Sequence, residues 1–163
     1  MGRRLSATEM MVAAYIGCAR NVWALTHGSE PGHGIGFDNT WTANVEGAAG
    51  EMFVAKTLDI YWCPRVGADR YNGDVGPYEV RTNSSRRWDD TPLHPSDRDD
   101  RVFIGVLSFM PEFEIMGWIW GHEGKRQEWW RDGSPGRPAF WVPRSALHSM
   151  AELPSVEALA VAA

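Results

Sequence analysis

The sequence predicts a mixed α/β fold in which helices flank a central β-sheet. Two helical segments come first, several short strand-like segments follow, and a shorter helix closes the chain. A length of 163 residues, with 44% hydrophobic and 23% charged residues, fits one globular domain with its own core. We therefore expect a single domain, made of an N-terminal helix and glycine-rich loop (1–38), a core (39–147) and a C-terminal helix with a tail (148–163).

The first helix is predicted from its N-terminal cap. Ser6 and Glu9 have the spacing of a capping box, which begins a helix that extends to about Leu25. The helix carries an apolar stripe, which is typical of a structural role. Its members are Met11, Ala14, Tyr15, Cys18, Val22 and Leu25.

The second helix is predicted from about Thr40 to Leu58. Its apolar side holds Val45, Ala48, Met52 and Ala55. On a helical wheel Glu51 flanks this side, whereas Glu46 lies roughly 140° further round. Because Gly47 and Gly50 permit a close approach to a sheet, we expect Glu51 to be the acid that faces a site.

The strands follow in the second half of the chain. A strand is predicted after the turn at 73–77, and 86–100 is interpreted as a polar linker. Residues 101–110 are apolar almost throughout, as in a central strand covered on both faces. Residues 113–120 would return as the second strand of a hairpin, and 140–143 would form a short edge strand that ends at its proline. Ser145 is predicted to cap the last helix.

The stretch that indicates chemistry runs from Gly73 to Thr82. On a strand the side chains alternate, so Glu79 and Arg81 share one face while their neighbours point to the other. Asp74 precedes a Gly-Pro break, and the chain can fold back there to bring its carboxylate to that of Glu79. Two carboxylates, with waters and a phosphate, satisfy the octahedral oxygen coordination of Mg²⁺.

These residues resemble the PD-(D/E)xK nuclease superfamily, over residues 51 to about 147. The family pattern is a glutamate on a helix, then an aspartate, then (D/E)-x-K on the next strand. The matching residues here are Glu51, Asp74 and Glu79-Val80-Arg81. The resemblance implies a restriction-endonuclease-like core, with a mixed sheet of about four to five strands between helices. Within the superfamily, the resemblance is greatest to small phage-type and Holliday-junction-resolvase-like members.

The resemblance also implies an activity, namely metal-dependent hydrolysis of DNA phosphodiester bonds. Catalytic roles would fall to Glu51, Asp74, Glu79 and Arg81, and Mg²⁺ or Mn²⁺ would be held by Asp74 and Glu79 with Glu51 on the metal or its waters. Arg81 stands where the family has lysine. Arginine stays charged and its planar fork suits phosphate, but it cannot accept a proton.

Contacts to DNA are predicted around the motif. The net charge of −5 argues against a strong, indiscriminate nucleic-acid binder. Locally, however, residues 65–87 contain five arginines and three acids, whereas residues 88–100 are mainly acidic. The predicted DNA-contacting residues are Arg65, Arg70, Arg86, Arg87 and the base-stacking Trp88.

Other features limit the function classes. No segment reaches the length of a membrane span, and no export signal is recognised, so we expect a cytoplasmic protein. Cys18 and Cys63 are far apart, which favours a reducing compartment over a disulfide framework. Two alternatives to the enzyme stay open, namely an inactive module of the same fold that binds DNA or protein, and a structural or assembly protein. Resolvase-like relatives are often dimers, so the resemblance also suggests a homodimer.

Overall fold

The computed structural model describes residues 4–28, 37–67, 73–84, 89–132 and 138–161. It confirms the mixed α/β class. The α-helices are α1 (Ala7–Thr26), α2 (Phe37–Leu58), α3 (Gly121–Gly124) and α4 (Val156–Val161). The strands are β1 (Tyr78–Asn83), β2 (Thr91–Leu93), β3 (Val102–Phe109), β4 (Glu112–Trp120), β5 (Trp130–Arg131) and β6 (Ala139–Val142).

The capping box at the start of α1 is confirmed. The Glu9 backbone N–H donates to Ser6 Oγ at 3.3 Å, and the Ser6 N–H donates to Glu9 Oε2 at 2.6 Å. The same glutamate forms an ion pair with Lys56 of α2 at 2.8 Å. At Gly17 the backbones of α1 and α2 meet, because a Cβ atom there would lie 2.5 Å from Val45 Cα.

The predicted apolar stripe of α1 does not face the core. The buried residues of α1 are Ala13, Gly17 and Asn21, and Met10 and Ile16 pack against the core from the same side. Small residues occupy the buried face because α2 approaches α1 closely, which leaves no room for large side chains.

Helix α2 packs against β1 as its glycine pattern predicts, but through only one of the two glycines. A Cβ atom on Gly50 would lie 2.0 Å from Thr82 Oγ1, so this position needs glycine. A Cβ atom on Gly47 would meet nothing within 4 Å, so the prediction for this residue is wrong. Ala48 and Ala55 are buried as expected.

The described residues form two three-stranded sheets and not one sheet of four to five strands. The first has the order β1-β3-β4, with β1 parallel and β4 antiparallel to β3. The predicted hairpin is thus confirmed, and β3 is buried from Val102 to Ser108, as a central strand requires. Glu79 pairs with Phe103 and Arg81 with Gly105 at the edge strand β1.

The second sheet has the order β2-β6-β5. The segment around Phe140 is therefore its middle strand, which corrects the prediction of an edge strand. Strand β2 lies inside the stretch interpreted as a polar linker. Its Pro92 fits an edge strand, since proline donates no hydrogen bond, and Leu93 is fully buried in a second core cluster with Phe103, Ile119 and Val142.

The C-terminal segment differs from the predicted helix capped by Ser145. Short 3₁₀ turns cover Arg144–Ala146 and Met150–Glu152, and α4 begins only at Val156. His148 pairs with Trp118 of β4 through two backbone hydrogen bonds of 3.1 and 2.8 Å. This pairing competes with a continuous helix. Trp118 is buried.

Within the described residues, no helix combines the length and the apolar character that crossing a bilayer requires.

Candidate active site

The candidate site forms where the chain turns into β1. Val75 and Tyr78 exchange two backbone hydrogen bonds of 3.1 Å, and Gly76 has φ +56°, a left-handed conformation that favours glycine. The turn brings Asp74 alongside the strand that follows it. Its Oδ2 accepts a hydrogen bond of 2.8 Å from the Val80 N–H. The predicted folding back of Asp74 onto the strand is present.

Glu79 and Arg81 share a face of β1, while Tyr78 and Val80 are buried in the core on the other face. Arg81 Nη1 lies 4.0 Å from both Asp74 Oδ2 and Glu79 Oε2. The three functional groups that the motif predicts are thus brought together, with Arg81 Nη1 at the same distance from the two carboxylates.

A third carboxylate holds Arg81, and sequence reasoning missed it. Arg81 Nη2 donates to Asp97 Oδ1 at 2.9 Å, and the guanidinium carbon lies 4.8 Å from the centre of the Phe103 ring. Arg81 Nε is buried and has no hydrogen-bond partner among the described residues. Asp97 also accepts from the His94 N–H. Because Asp97 lies in a loop that is distant in sequence from the motif, no local pattern could point to it.

The site has more negative than positive charge. The pKa of Glu79 is raised from 4.5 to about 7, first by burial and then by the negative charge of Asp74, against the opposing effect of Arg81 and Arg101. Asp97 adds to the rise. Near neutral pH, Glu79 therefore binds a proton more readily than an ordinary glutamate does.

Glu51 lies on α2 and is buried, with 6% of its surface exposed. Arg20 of α1 donates to both carboxylate oxygens, at 2.7 and 2.8 Å, and Trp62 Nε1 donates to Oε2 at 3.3 Å. Burial raises the pKa of Glu51, Arg20 opposes the rise, and Asp74 adds to it. Glu51 thus interacts electrostatically with Asp74, but Arg20 balances its charge.

Arg20 is the second residue that sequence reasoning missed. Its Nε donates to the Arg65 carbonyl at 2.9 Å, and the Arg65 side chain donates to the Gly73 carbonyl next to Asp74. Arg20 thereby links α1 and Glu51 of α2 to Arg65, and Arg65 in turn binds Gly73 at the turn into β1. A signal was available, since Arg20 is the only basic residue of α1.

Asp74 and Glu79 fit a divalent cation better than Glu51 does. Two carboxylates are the protein ligands that Mg²⁺ commonly takes beside waters and a substrate phosphate, and the pKa of Glu79 is raised by burial and by the negative charge of Asp74. Both oxygens of Glu51 already accept hydrogen bonds, so direct ligation would require the ion pair with Arg20 to open. The described residues contain no group of three or more His, Cys, Asp or Glu side chains arranged to hold a metal ion.

A cleft of about 1100 Å³ opens beside Asp74. Its walls include Arg98, Arg101 and His122, and at the rim Tyr61 is 88% exposed. Arg65, one of the predicted DNA contacts, also lines the cleft. The other predicted DNA contacts, Arg70, Arg86, Arg87 and Trp88, lie outside the described residues.

Comparisons of the chain with protein-family models, with curated proteins and with solved structures found no match.

Proposed function

We propose that this chain is a metal-dependent DNA nuclease of the PD-(D/E)xK type, which hydrolyses phosphodiester bonds in branched DNA or at DNA ends. The observation that carries the proposal is the return of Asp74 onto β1, where burial and then the charge of Asp74 raise the pKa of Glu79 to about 7. A surface ion pair would lower the pKa of a carboxyl. Crowded carboxylates whose charge is not balanced are typical of a site that binds a cation or moves a proton.

In this proposal Asp74 and Glu79 hold Mg²⁺ or Mn²⁺. When bound, the ion supplies a Lewis acid for the phosphate and lowers the pKa of its water. Asp74 is suited to this task because the Val80 N–H fixes one of its oxygens. Glu79 gives up its proton when a cation arrives, so its affinity for metal should rise with pH.

Arg81 is assigned to the scissile phosphate. Asp97 accepts from Nη2, and Nη1 donates to the Val80 carbonyl at 3.3 Å and lies 4.0 Å from Asp74 and Glu79. The second N–H of Nη1 can donate to a phosphate oxygen and stabilise the charge that develops there. Glu51 acts through Arg20, which it holds in place beside Asp74.

The cleft gives the substrate strand a place to lie. Arg98 and Arg101 line it and can neutralise phosphates, but the acids Asp99 and Asp100 line it too, and Asp100 pairs with Arg98. Tyr61 has an exposed ring at its edge, on which an unpaired base can stack. A cleft that mixes arginines with acids agrees with the net charge of −5, which argues against strong, indiscriminate binding of DNA.

The test is cleavage of linear and branched DNA with Mg²⁺ or Mn²⁺. We expect wild type to cut, and Asp74→Asn and Glu79→Gln each to lose at least about 100-fold in rate, the size of effect typical of lost charge stabilisation at a reacting phosphate. The matched control is Glu114→Gln on β4, an exposed acid paired with Arg144, which should cut like wild type. Cleavage that survives both site variants would refute the mechanism.

One observation favours a second candidate, an inactive module that binds DNA. Arg81 is held by Asp97 and cannot serve as a base, so the site can bind phosphate without activating water. Arg81→Lys separates the two. A nuclease changes its rate, whereas an inactive module binds DNA and stays inactive unless the lysine restores cleavage. If calorimetry detects no Mn²⁺ or Mg²⁺ binding by wild type, the nuclease fails, and the result favours a structural or assembly role.

A further inference from the structure

The apolar stripe of α1 is exposed. Met11 is 65%, Tyr15 73%, Val22 51% and Leu25 60% exposed, and Cys18 between them is also exposed. We call these five residues the α1 stripe. Large apolar side chains usually lie in the core, and a contiguous exposed row of them marks an interaction surface.

The residues of the α1 stripe are spaced as in a helix that packs along a second helix. Successive members are four, three, four and three residues apart, which is the apolar repeat of a coiled coil. At 100° per residue they fall within an arc of about 80°. The side of α1 that packs against the rest of the molecule, with Ala13 and Gly17, lies elsewhere on the helix. The α1 stripe is thus available to a second helix without disturbing the fold.

No charge interrupts the α1 stripe. The charged residues of α1 are Glu9 and Arg20, and both have partners in α2 within the same chain, Lys56 and Glu51. Two identical uncharged faces can meet without like-charge repulsion, as a two-fold interface requires. A strongly charged partner protein would find no complementary group on this face.

The area of the α1 stripe agrees with a second copy as the occupant. With the exposed fractions given above, the stripe presents roughly 500 Å² per chain, so that two chains would bury about 1,000 Å², the lower limit for a specific interface.

We propose that two copies of this chain associate through their α1 stripes, as antiparallel helices about a two-fold axis at Cys18. Cys18 is the middle member of the stripe, with Tyr15 and Val22 three and four residues away and Met11 and Leu25 seven residues away. The axis therefore sets Cys18 against Cys18 of the second copy, Tyr15 against its Val22, and Met11 against its Leu25. Antiparallel helices have favourably opposed dipoles, and each large tyrosine meets a smaller valine.

Complementary charges test both the association and its direction. Light scattering after size exclusion should give wild type twice the mass of one chain. Tyr15→Glu and Val22→Lys should each weaken the dimer at least 10-fold, because each places a charge in the interface. An equimolar mixture of the two should recover the dimer, since the introduced carboxylate of one chain would then face the introduced ammonium group of the other.

The matched control is Val12→Glu, the same type of change at an exposed apolar residue of α1 outside the stripe. It should dimerise like wild type. The proposal is overturned by a wild type that stays monomeric at about 100 μM, by a mixture that stays monomeric, or by an equal loss in the control. Circular dichroism checks that each variant is folded.

Crosslinking gives a second measurement. In a Cys63→Ser background, a short bismaleimide should join two chains through Cys18. Both thiols are exposed, so the single variant Cys18→Ser, which retains Cys63, is the control for crosslinking by collision alone and should give little product. No dimer product from the Cys18-only protein would contradict an axis at this residue. Asp74→Asn should dimerise normally, which keeps this result separate from that of the cleavage assay.

Discussion

Replacing Glu79 by glutamine tests whether the candidate site destabilises the metal-free protein at neutral pH. The pKa of Glu79 is raised from 4.5 to about 7, by burial first and then by Asp74. Because the folded value lies above the unfolded one, the folded protein holds the proton more tightly. The resulting stability is fully present below about pH 4.5 and is lost as the pH rises through about 7.

The magnitude follows from the two pKa values. The difference between 4.5 and about 7 corresponds to about 3 kcal/mol in the free energy of unfolding. The Glu79 side chain is 22% exposed, so solvent screening reduces this figure only in part. Glutamine keeps the shape and removes the ionisation. We therefore expect Glu79→Gln to gain up to about 3 kcal/mol over wild type between about pH 4 and pH 8.

The assay is urea unfolding followed by tryptophan fluorescence, with a chelator present, over this pH range. Glu114→Gln on β4 is measured in parallel, because it shows what the loss of one exposed acid does by itself. A difference between Glu79→Gln and wild type that does not grow with pH would refute the assigned electrostatics. Adding Mn²⁺ at pH 8 should then stabilise wild type and not the variant, by the amount that binding to the folded state alone predicts.

Further substitutions in α1 and α2 test how these two helices pack. Arg20→Met leaves the Glu51 carboxylate buried without its cation, so the free energy of unfolding should fall by about 3–5 kcal/mol. Adding Glu51→Met should recover most of this loss. A loss below about 1 kcal/mol for Arg20→Met alone, measured by urea unfolding, would contradict a buried ion pair. Gly17→Ala should destabilise by about 1–3 kcal/mol because its Cβ meets Val45, whereas Gly47→Ala, with open space, should stabilise by about 1 kcal/mol. Equal thermal shifts for the two alanine variants would argue against the close contact of the helices.

Much of the local structure followed from the sequence because its causes are local. A hydroxyl and a carboxylate three residues apart begin α1, a continuous apolar segment becomes the buried strand β3, and a Gly-Pro turn returns Asp74 to β1. The shared face of Glu79 and Arg81 follows from strand alternation alone. The parts of the candidate site that the sequence predicted are those within a few residues of this strand.

The partners from distant segments were not predictable in this way. Asp97 reaches Arg81 from a loop, and Arg20 reaches Glu51 across the pair of helices. Both contacts depend on how the helices, strands and loops pack against one another, and the residues next to each partner in the sequence do not indicate this packing. These contacts matter for the proposed function, because Asp97 holds the Arg81 guanidinium in place and Arg20 balances the negative charge of Glu51.

The sequence by itself determined that α1 forms, where it begins, and that one of its faces is apolar. Only the tertiary structure decided that this face lies outside. Periodicity shows which side chains share a face, but the choice of the buried face depends on how closely the neighbouring helix can approach. At Gly17 the backbones of α1 and α2 nearly touch, and this close contact leaves the large apolar side chains of α1 on the surface.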